Sequence, residues 1–340
     1  MIIIQNYING KFQSTDKNIE DINPATGEII ASIPKSNSNE VQIAVDAADK
    51  ARKTWSELSL EERTQWLDKI ADSLESRFEQ IASLESLDTG KPVSLARAVD
   101  ASRSVANFRF FADFAREYSP EKFEMDDATN HVILKPVGIA GLITPWNLPL
   151  YLLSWKIAPA IVMGNTVVAK PSELTPLTAN LLAEVIHDVG LPKGVVNIVH
   201  GLGSEVGQAI VEHPKINLIS FTGGTMTGRK VAETAAPMFK KLSLELGGKN
   251  ATIVLDDINV DEAIPGIARS GFLNQGQVCL CGSRIFVSDK IWDNFVPKFV
   301  DYVKNMKVGD PSLEDSDLGA LVSFAHRDKV ESYIHLAQRE

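Results

Sequence analysis

Cysteine is nearly absent from this chain of 340 residues: there are two, Cys279 and Cys281, separated by one residue. A pair so close cannot staple a fold, which excludes a disulfide framework and leads us to expect a reducing compartment such as the cytoplasm. No run of about 18 apolar residues occurs, so no membrane-spanning helix is expected and no membrane partner. The first residues carry a short apolar run without a basic flank or a cleavage pattern, and read as a strand rather than a leader. Basic residues are outnumbered, 34 Lys and Arg against 44 Asp and Glu, for a formal net charge of −10. With no Lys/Arg-rich run, a nucleic-acid partner is excluded. The histidines (131, 187, 200, 213, 326, 335) show no ligand spacing, and Cys279-Leu280-Cys281 is not a zinc Cys-x-x-Cys, so no metal site is expected.

What is present is enough for a large core: 44% of residues are apolar, and the length suits about two domains. Residues 1–35 read as strands and turns, with Asn9-Gly10 as a hairpin signal. Residues 38–118 read as helical. Val41, Ala44, Val45, Ala48 and Trp55 form one stripe. Ser59 and Glu62 make a capping box for a helix whose Trp66, Leu67, Ile70 and Leu74 face inward. A Phe-rich helix runs through 98–118, and 119–136 could form an extended arm. From 138 short apolar runs (138–144, 166–169, 195–199, 218–221, 241–244, 252–255) alternate with helical stretches. Such alternation predicts an α/β fold with a mostly parallel sheet covered on both faces, and ligands beyond the carboxyl ends of its strands.

The loops at those ends carry the chemistry. Thr144-Pro145-Trp146-Asn147 offers an amide donor suited to a developing oxyanion. Lys170-Pro171-Ser172-Glu173 can grip ribose hydroxyls, and its carboxylate would repel a 2′-phosphate, favouring NAD over NADP. Gly201 to Gly207 is one residue too long for a G-x-G-x-x-G fingerprint, so its glycines are expected to serve a tight turn and helix packing. Thr222-Gly223-Gly224 leads into Gly228-Arg229-Lys230, which has P-loop spacing without the required Lys-Ser/Thr. It still offers backbone N–H groups to a pyrophosphate at a helix N-terminus. Cys279 follows Asn274-Gln275-Gly276-Gln277-Val278, and Glu245 precedes Leu246-Gly247-Gly248-Lys249. A thiolate nucleophile turning over a covalent intermediate needs a positioned base, and Glu245 is the candidate.

Taken in order, the P-W-N, K-P-S-E, F-T-G-G, L-E-L-G-G-K and G-Q-x-C segments resemble the aldehyde dehydrogenase superfamily from Asn6 onward. The resemblance implies an NAD-binding, Rossmann-like coenzyme domain at 1–246, with an oligomerisation arm within 119–136, and an incomplete α/β catalytic domain at 247–340. It implies Cys279 as nucleophile, Asn147 and the Cys279 backbone N–H as oxyanion donors, and Glu245 as the base that hydrolyses the thioester. Lys170 and Glu173 would hold the adenosine ribose. Thr222, Gly223 and Gly224 would lie by the pyrophosphate, and Thr144, Trp146, Leu246 and Gly247 would line the cofactor cleft. Cys279-Leu280-Cys281, Lys241 to Glu245 and Asn107 to Phe111 are similar to the 2-aminomuconic and 2-hydroxymuconic semialdehyde dehydrogenase branch. The expected substrate is then a small aldehyde bearing a carboxylate, for which Arg103 is the candidate cation, with Arg109 structural and Cys281 lining the pocket. A homodimer or homotetramer is implied for the full-length form. The family's second cofactor glutamate, in an E-x-F-G-P motif, has no counterpart here, so a C-terminally truncated chain is expected, with an apolar face and a sheet edge uncovered. The alternative expectation is a short non-catalytic product that binds or regulates the full-length enzyme.

Overall fold

The computed structural model describes residues 1–340. Its centre is a seven-stranded sheet in the order Lys241–Glu245, Ile216–Thr222, Ile139–Ile143, Thr166–Lys170, Val196–Ile198, Asn6–Ile8, Lys11–Gln13. The first five strands run parallel. Strand Ile139–Ile143 is the first of these in the chain but lies in the middle. The chain moves outward from it through two strands, then returns to its other side for the next two. That reversal creates a crevice at the carboxyl ends of Ile139–Ile143 and Ile216–Thr222, where a doubly wound sheet holds its ligand.

The N-terminal hairpin extends this sheet: Asn6–Ile8 pairs antiparallel with Val196–Ile198, and Lys11–Gln13 folds back on it. Its turn is Asn9-Gly10, with φ of 52° and 72°, the left-handed pair that two-residue hairpins require. A separate small sheet joins Ile2–Ile3, Ile29–Pro34 and Asn18–Ile22.

Helices cover both faces. On one face Ser38–Glu57 and Thr225–Ala235 pack Val41, Ala44, Val45, Ala48 and Val231 against Ile139, Val168, Ile219 and Phe221. On the other, Leu60–Ser76, Ser102–Glu117, Pro149–Val162 and Leu177–Asp188 bury Leu67, Ile70, Leu74, Phe108, Ile157 and Leu182. Ser59 and Glu62 form the expected capping box, and a second one, Asn37 with Glu40, opens the first helix. The hairpin Lys122–Glu124 with Thr129–His131 stands off the body, fully exposed.

After Glu245 the chain leaves the main sheet. The apolar run near 252–255 does not continue it: Ala251–Val254 pairs with Arg284–Val287 in a sheet of two parallel strands. Helices Val260–Phe272 and Trp292–Lys304 pack on it around Val254, Val260, Ile264 and Phe295. Ile253, Leu255 and Phe286 remain exposed. The last helix, Phe324–Arg339, buries none of its residues fully. No helix is long and apolar enough to cross a membrane.

Candidate active site

The crevice at the strand reversal is a cleft of about 600 Å³. Thr144, Trp146, Lys170, Glu173, Thr222, Gly223 and Gly224 all line it. The strands bring them together: Thr144, Lys170 and Thr222 each stand at or just past the carboxyl end of a neighbouring parallel strand. Leu246 and Gly247 lie just outside its wall. Leu246 packs on Gly228, where an added Cβ would come within 2.4 Å of its side chain, and Gly247 sits beside Thr225.

Lys170 is buried and its ammonium donates to a Glu173 carboxylate oxygen at 2.7 Å; the other oxygen accepts from Gly203 N at 3.3 Å. Burial pulls the Lys170 pKa down and Glu173 resists that fall. Burial pushes Glu173 upward, but Lys170, with main-chain hydrogen bonds including that from Gly203, offsets it and leaves the carboxyl below its ordinary value. Glu173 is therefore ionised through the neutral range. A depressed carboxyl stabilises the fold above its unfolded pKa and loses that contribution as pH falls through the folded one.

The Gly203 contact changes the reading of the third loop. Gly201, with φ of 145°, makes the tight turn, and Val206 packs onto it. Yet Gly203, Ser204 and Gly207 line the cleft as well. Two glycine loops thus border the cleft. Nothing lies within 4 Å of a Cβ built on Gly203 or Gly224 on the cleft side. The hydroxyls of Thr144 and Thr222 are buried without a partner. A carboxylate, glycine main chain uncrowded by side chains and two free hydroxyls fit the diol and pyrophosphate of a dinucleotide.

Beyond the cleft lies the cysteine loop. Cys279 is exposed and Cys281 buried, where loss of solvation raises the second thiol's pKa. The Asn147 amide donates to the Gln277 carbonyl at 2.8 Å, two residues before Cys279. Its second N–H is uncommitted. The Asn147 carbonyl accepts from Asn274 Nδ2 at 3.0 Å. Cys279's own carbonyl accepts from Asn250 Nδ2 at 3.2 Å, and Gly248 approaches the same oxygen. The segment after Glu245 therefore runs beside Cys279. Glu245 pairs with Thr222 across the sheet, is exposed, and its carbonyl accepts from Gly223 N.

One charged neighbour of Glu245 escaped the sequence reading. Lys156 lies in the otherwise apolar helix Pro149–Val162, buried, with its ammonium on Ser220 Oγ at 2.8 Å. Burial pulls its pKa down to about 8, against the attraction of Glu245. A lone lysine in an apolar helix was the available signal. Arg103 is exposed, with its guanidinium over the Tyr151 ring at 5.5 Å. One turn later Asn107 fastens the two helices by donating to the Tyr151 carbonyl and Ser154 Oγ. Arg109 instead pairs with Asp72 and Glu75 on the neighbouring helix.

Residues 12–340 match the model of the Aldehyde dehydrogenase family. The chain is 48% identical over 342 aligned residues to human 2-aminomuconic semialdehyde dehydrogenase, covering all of this chain and 70% of that protein. It superposes with a TM-score of 0.97 on a crystal structure assigned as an aldehyde dehydrogenase from Burkholderia cenocepacia, at 42% identity, covering 100% of this chain and 70% of the other. An NAD+ complex of aldehyde dehydrogenase from Bacillus cereus superposes with a TM-score of 0.96 at 38% identity, covering 99% and 70%.

Proposed function

The chain belongs to the aldehyde dehydrogenase family, whose members here are NAD-dependent oxidoreductases acting on aldehydes, and from that premise we propose a carboxylate-bearing semialdehyde as substrate and a covalent route through Cys279. The observation that carries the route is the Asn147 amide fastened to the Gln277 carbonyl, which holds the cleft loop against the cysteine loop.

In this reading the Cys279 thiolate adds to the aldehyde carbon. The oxygen that gains charge is met by the free Asn147 N–H and the Cys279 main-chain N–H, each worth about 3 kcal/mol in such a role. NAD would supply the acceptor for the hydride of this carbon. Lys170 and Glu173 would hold its adenosine ribose, and Thr222, Gly223 and Gly224 would border its pyrophosphate. Thr144 and Trp146 wall its cleft, with Leu246 and Gly247 behind. Glu245 then takes a proton from water, which attacks the thioester and releases the acid and Cys279. Lys156, charged below about pH 8, presents a positive charge toward Glu245. Residues 1–246 form the coenzyme-binding unit and 247–340 the part of the catalytic unit that carries the nucleophile. The exposed arm, with Phe123, Met125, Ile133 and Leu134, is proposed as a contact between copies of the chain.

Arg103, presented over Tyr151, supplies the cation for the substrate's carboxylate. The test is NADH formation from 2-aminomuconic or 2-hydroxymuconic semialdehyde and from a neutral aldehyde of similar size. Cys279→Ser should abolish it with both. Arg103→Ala should raise KM about tenfold or more for the acidic substrate alone, the worth of one charge-assisted contact. Equal effects on both aldehydes would remove Arg103 from substrate selection.

A further inference from the structure

Beneath the turn that carries Asn147 lies a cluster the mechanism does not use. Glu85, Lys91 and Asp100 have no exposed side-chain surface. The Lys91 ammonium donates to Asp100 at 2.8 Å and lies 3.8 Å from Glu85. Two carboxylates for one ammonium is an expensive arrangement in the interior. Burial, with Asp100's charge as the second cause, pushes Glu85 up to about 7, while Lys91 opposes the rise. Apolar side chains of the same volume would stabilise the core at least as well, so the cluster calls for another explanation.

Its remaining bonds supply one. Lys91 also donates to the Asn147 carbonyl at 3.1 Å. Glu85 accepts from the Leu150 main-chain N–H at 2.9 Å and from Thr178 Oγ1 at 2.8 Å. The ammonium holds the first residue of the 147–150 turn and the carboxylate holds the last. Asp100, which anchors the ammonium, sits in a π-helical turn, Ala96–Ala101, set between a short helix and Ser102–Glu117. Such a turn carries an extra residue at the expense of regular bonding and is often kept to aim a side chain. The residue before Lys91 works toward the same place: the Gly90 carbonyl accepts from Ala320 N and from Gln275 Nε2, which lies in the cysteine loop.

We propose that Glu85, Lys91 and Asp100 are positioning residues that clamp the 147–150 turn at both ends and so aim the Asn147 amide at the oxygen of the carbon bound to Cys279. The inference rests on the oxyanion role of Asn147. Donors in such sites must stand within a few tenths of an ångström of their target, and a displacement near 1 Å costs about a hundredfold.

The test uses p-nitrophenyl acetate, which needs no cofactor. The Cys279 thiolate adds to the ester carbonyl, the C–O bond breaks, p-nitrophenolate leaves, and an acetyl thioester remains. Its tetrahedral oxygen would be held by the same Asn147 donor. Lys91→Met with Asp100→Asn removes the ammonium without leaving its carboxylate unpaired. The acylation burst should slow about 30- to 100-fold, below the loss of a whole donor, while calorimetry gives an NAD affinity unchanged within about twofold. In an Asn147→Ala background the same two substitutions should cost less than about threefold, because their target is gone. An equal loss in both backgrounds would reduce the cluster to a structural role. No loss beside an intact Asn147, with Asn147→Ala itself slowed, would refute the clamp and leave the oxyanion reading standing. An Asn147→Ala protein that acylates at the full rate would sink that reading and this inference with it. If the double variant does not fold, Asp100→Asn alone decides: it keeps the side-chain volume and removes the charge that anchors the Lys91 ammonium at 2.8 Å. It should slow acylation with the same dependence on Asn147, and an unchanged rate would overturn the clamp.

Discussion

Replacing Glu173 by Gln tests the cleft with a single change of charge. Both carboxylate oxygens are engaged, one by Lys170 at 2.7 Å and one by Gly203 N at 3.3 Å. Glutamine has one acceptor oxygen, so one of those donors loses its partner. The Lys170 side chain is 3% exposed and that of Glu173 28%. Breaking a fully buried pair costs about 3–5 kcal/mol, and the water that reaches Glu173 brings this nearer to about 1–2 kcal/mol. A ribose hydroxyl bonded to a carboxylate gains about 1 kcal/mol or slightly more over one bonded to an amide, so the NAD Kd should rise roughly tenfold. A 2′-phosphate placed about 4 Å from the carboxylate feels about 4 kcal/mol of repulsion per charge at an effective dielectric of ~20. The neighbouring Lys170 and solvent leave about 1.5 kcal/mol of that, again close to tenfold. The preference for NAD over NADP should therefore fall about a hundredfold in total. Calorimetric titration with both dinucleotides at 0.15 M salt measures it, beside a thermal melt. A melting temperature that drops while the preference stays within threefold would show that Glu173 is only the counter-ion of Lys170, and the cleft assignment would need another ribose ligand.

Two further outcomes are expected. Lys156→Met removes the positive charge facing Glu245 below about pH 8. The buried ammonium costs the fold stability up to about pH 8 and that cost fades as the lysine deprotonates above it, so the variant's stability relative to the parent in urea unfolding should fall between pH 8 and about 10, and a difference independent of pH would show that Lys156 is not buried as a cation. Trp55 is 1% exposed and donates from its indole to the Ile161 carbonyl. Trp55→Ala should cost about 3–5 kcal/mol in urea unfolding, and a loss under about 1 kcal/mol would mean the first helix is not integral to the sheet packing.

The four main-sheet strands from Ile139–Ile143 to Ile216–Thr222 were legible because each is a short apolar run followed by a turn and a helix, so period and punctuation agree. The strand reversal at Ile139–Ile143 was not legible, since pairing order depends on which faces of the helices match. The chain's departure from that sheet after Glu245 escaped for a related reason. An apolar run near 252–255 has the pattern of one more strand, whether its neighbour is Lys241–Glu245 or Arg284–Val287. In the site, Lys170, Glu173, Thr222 and Cys279 stand in short motifs whose residue types name their chemistry. The glycines of the third loop were assigned to packing because their spacing misses the dinucleotide pattern, although backbone N–H groups can face a ligand whatever the spacing. Glu85, Lys91 and Asp100 gave no signal. Charged residues are ordinarily solvated, and only the tertiary fold reveals that these three are not.

The approach to Cys279 turns through three consecutive left-handed residues, Asn274, Gln275 and Gly276, with φ of 53°, 58° and 75°. The first two carry side chains that resist this conformation, so the turn is not self-supporting. It is held by bonds to distant segments: Asn274 to Asn147, Gln275 to Gly90 and Ala320, and Gln277 to Val322 N. The Cys279 thiol therefore inherits its order from chain that precedes it by well over a hundred residues and from chain that follows it. During synthesis the peptide bearing Cys279 can emerge complete and still be chemically unready, because the 318–322 stretch must also have left the ribosome and docked. Reactivity would then appear late in biogenesis and vanish early under mild stress, before the main sheet melts, a sequence that timed thiol labelling of nascent or gently heated protein would record.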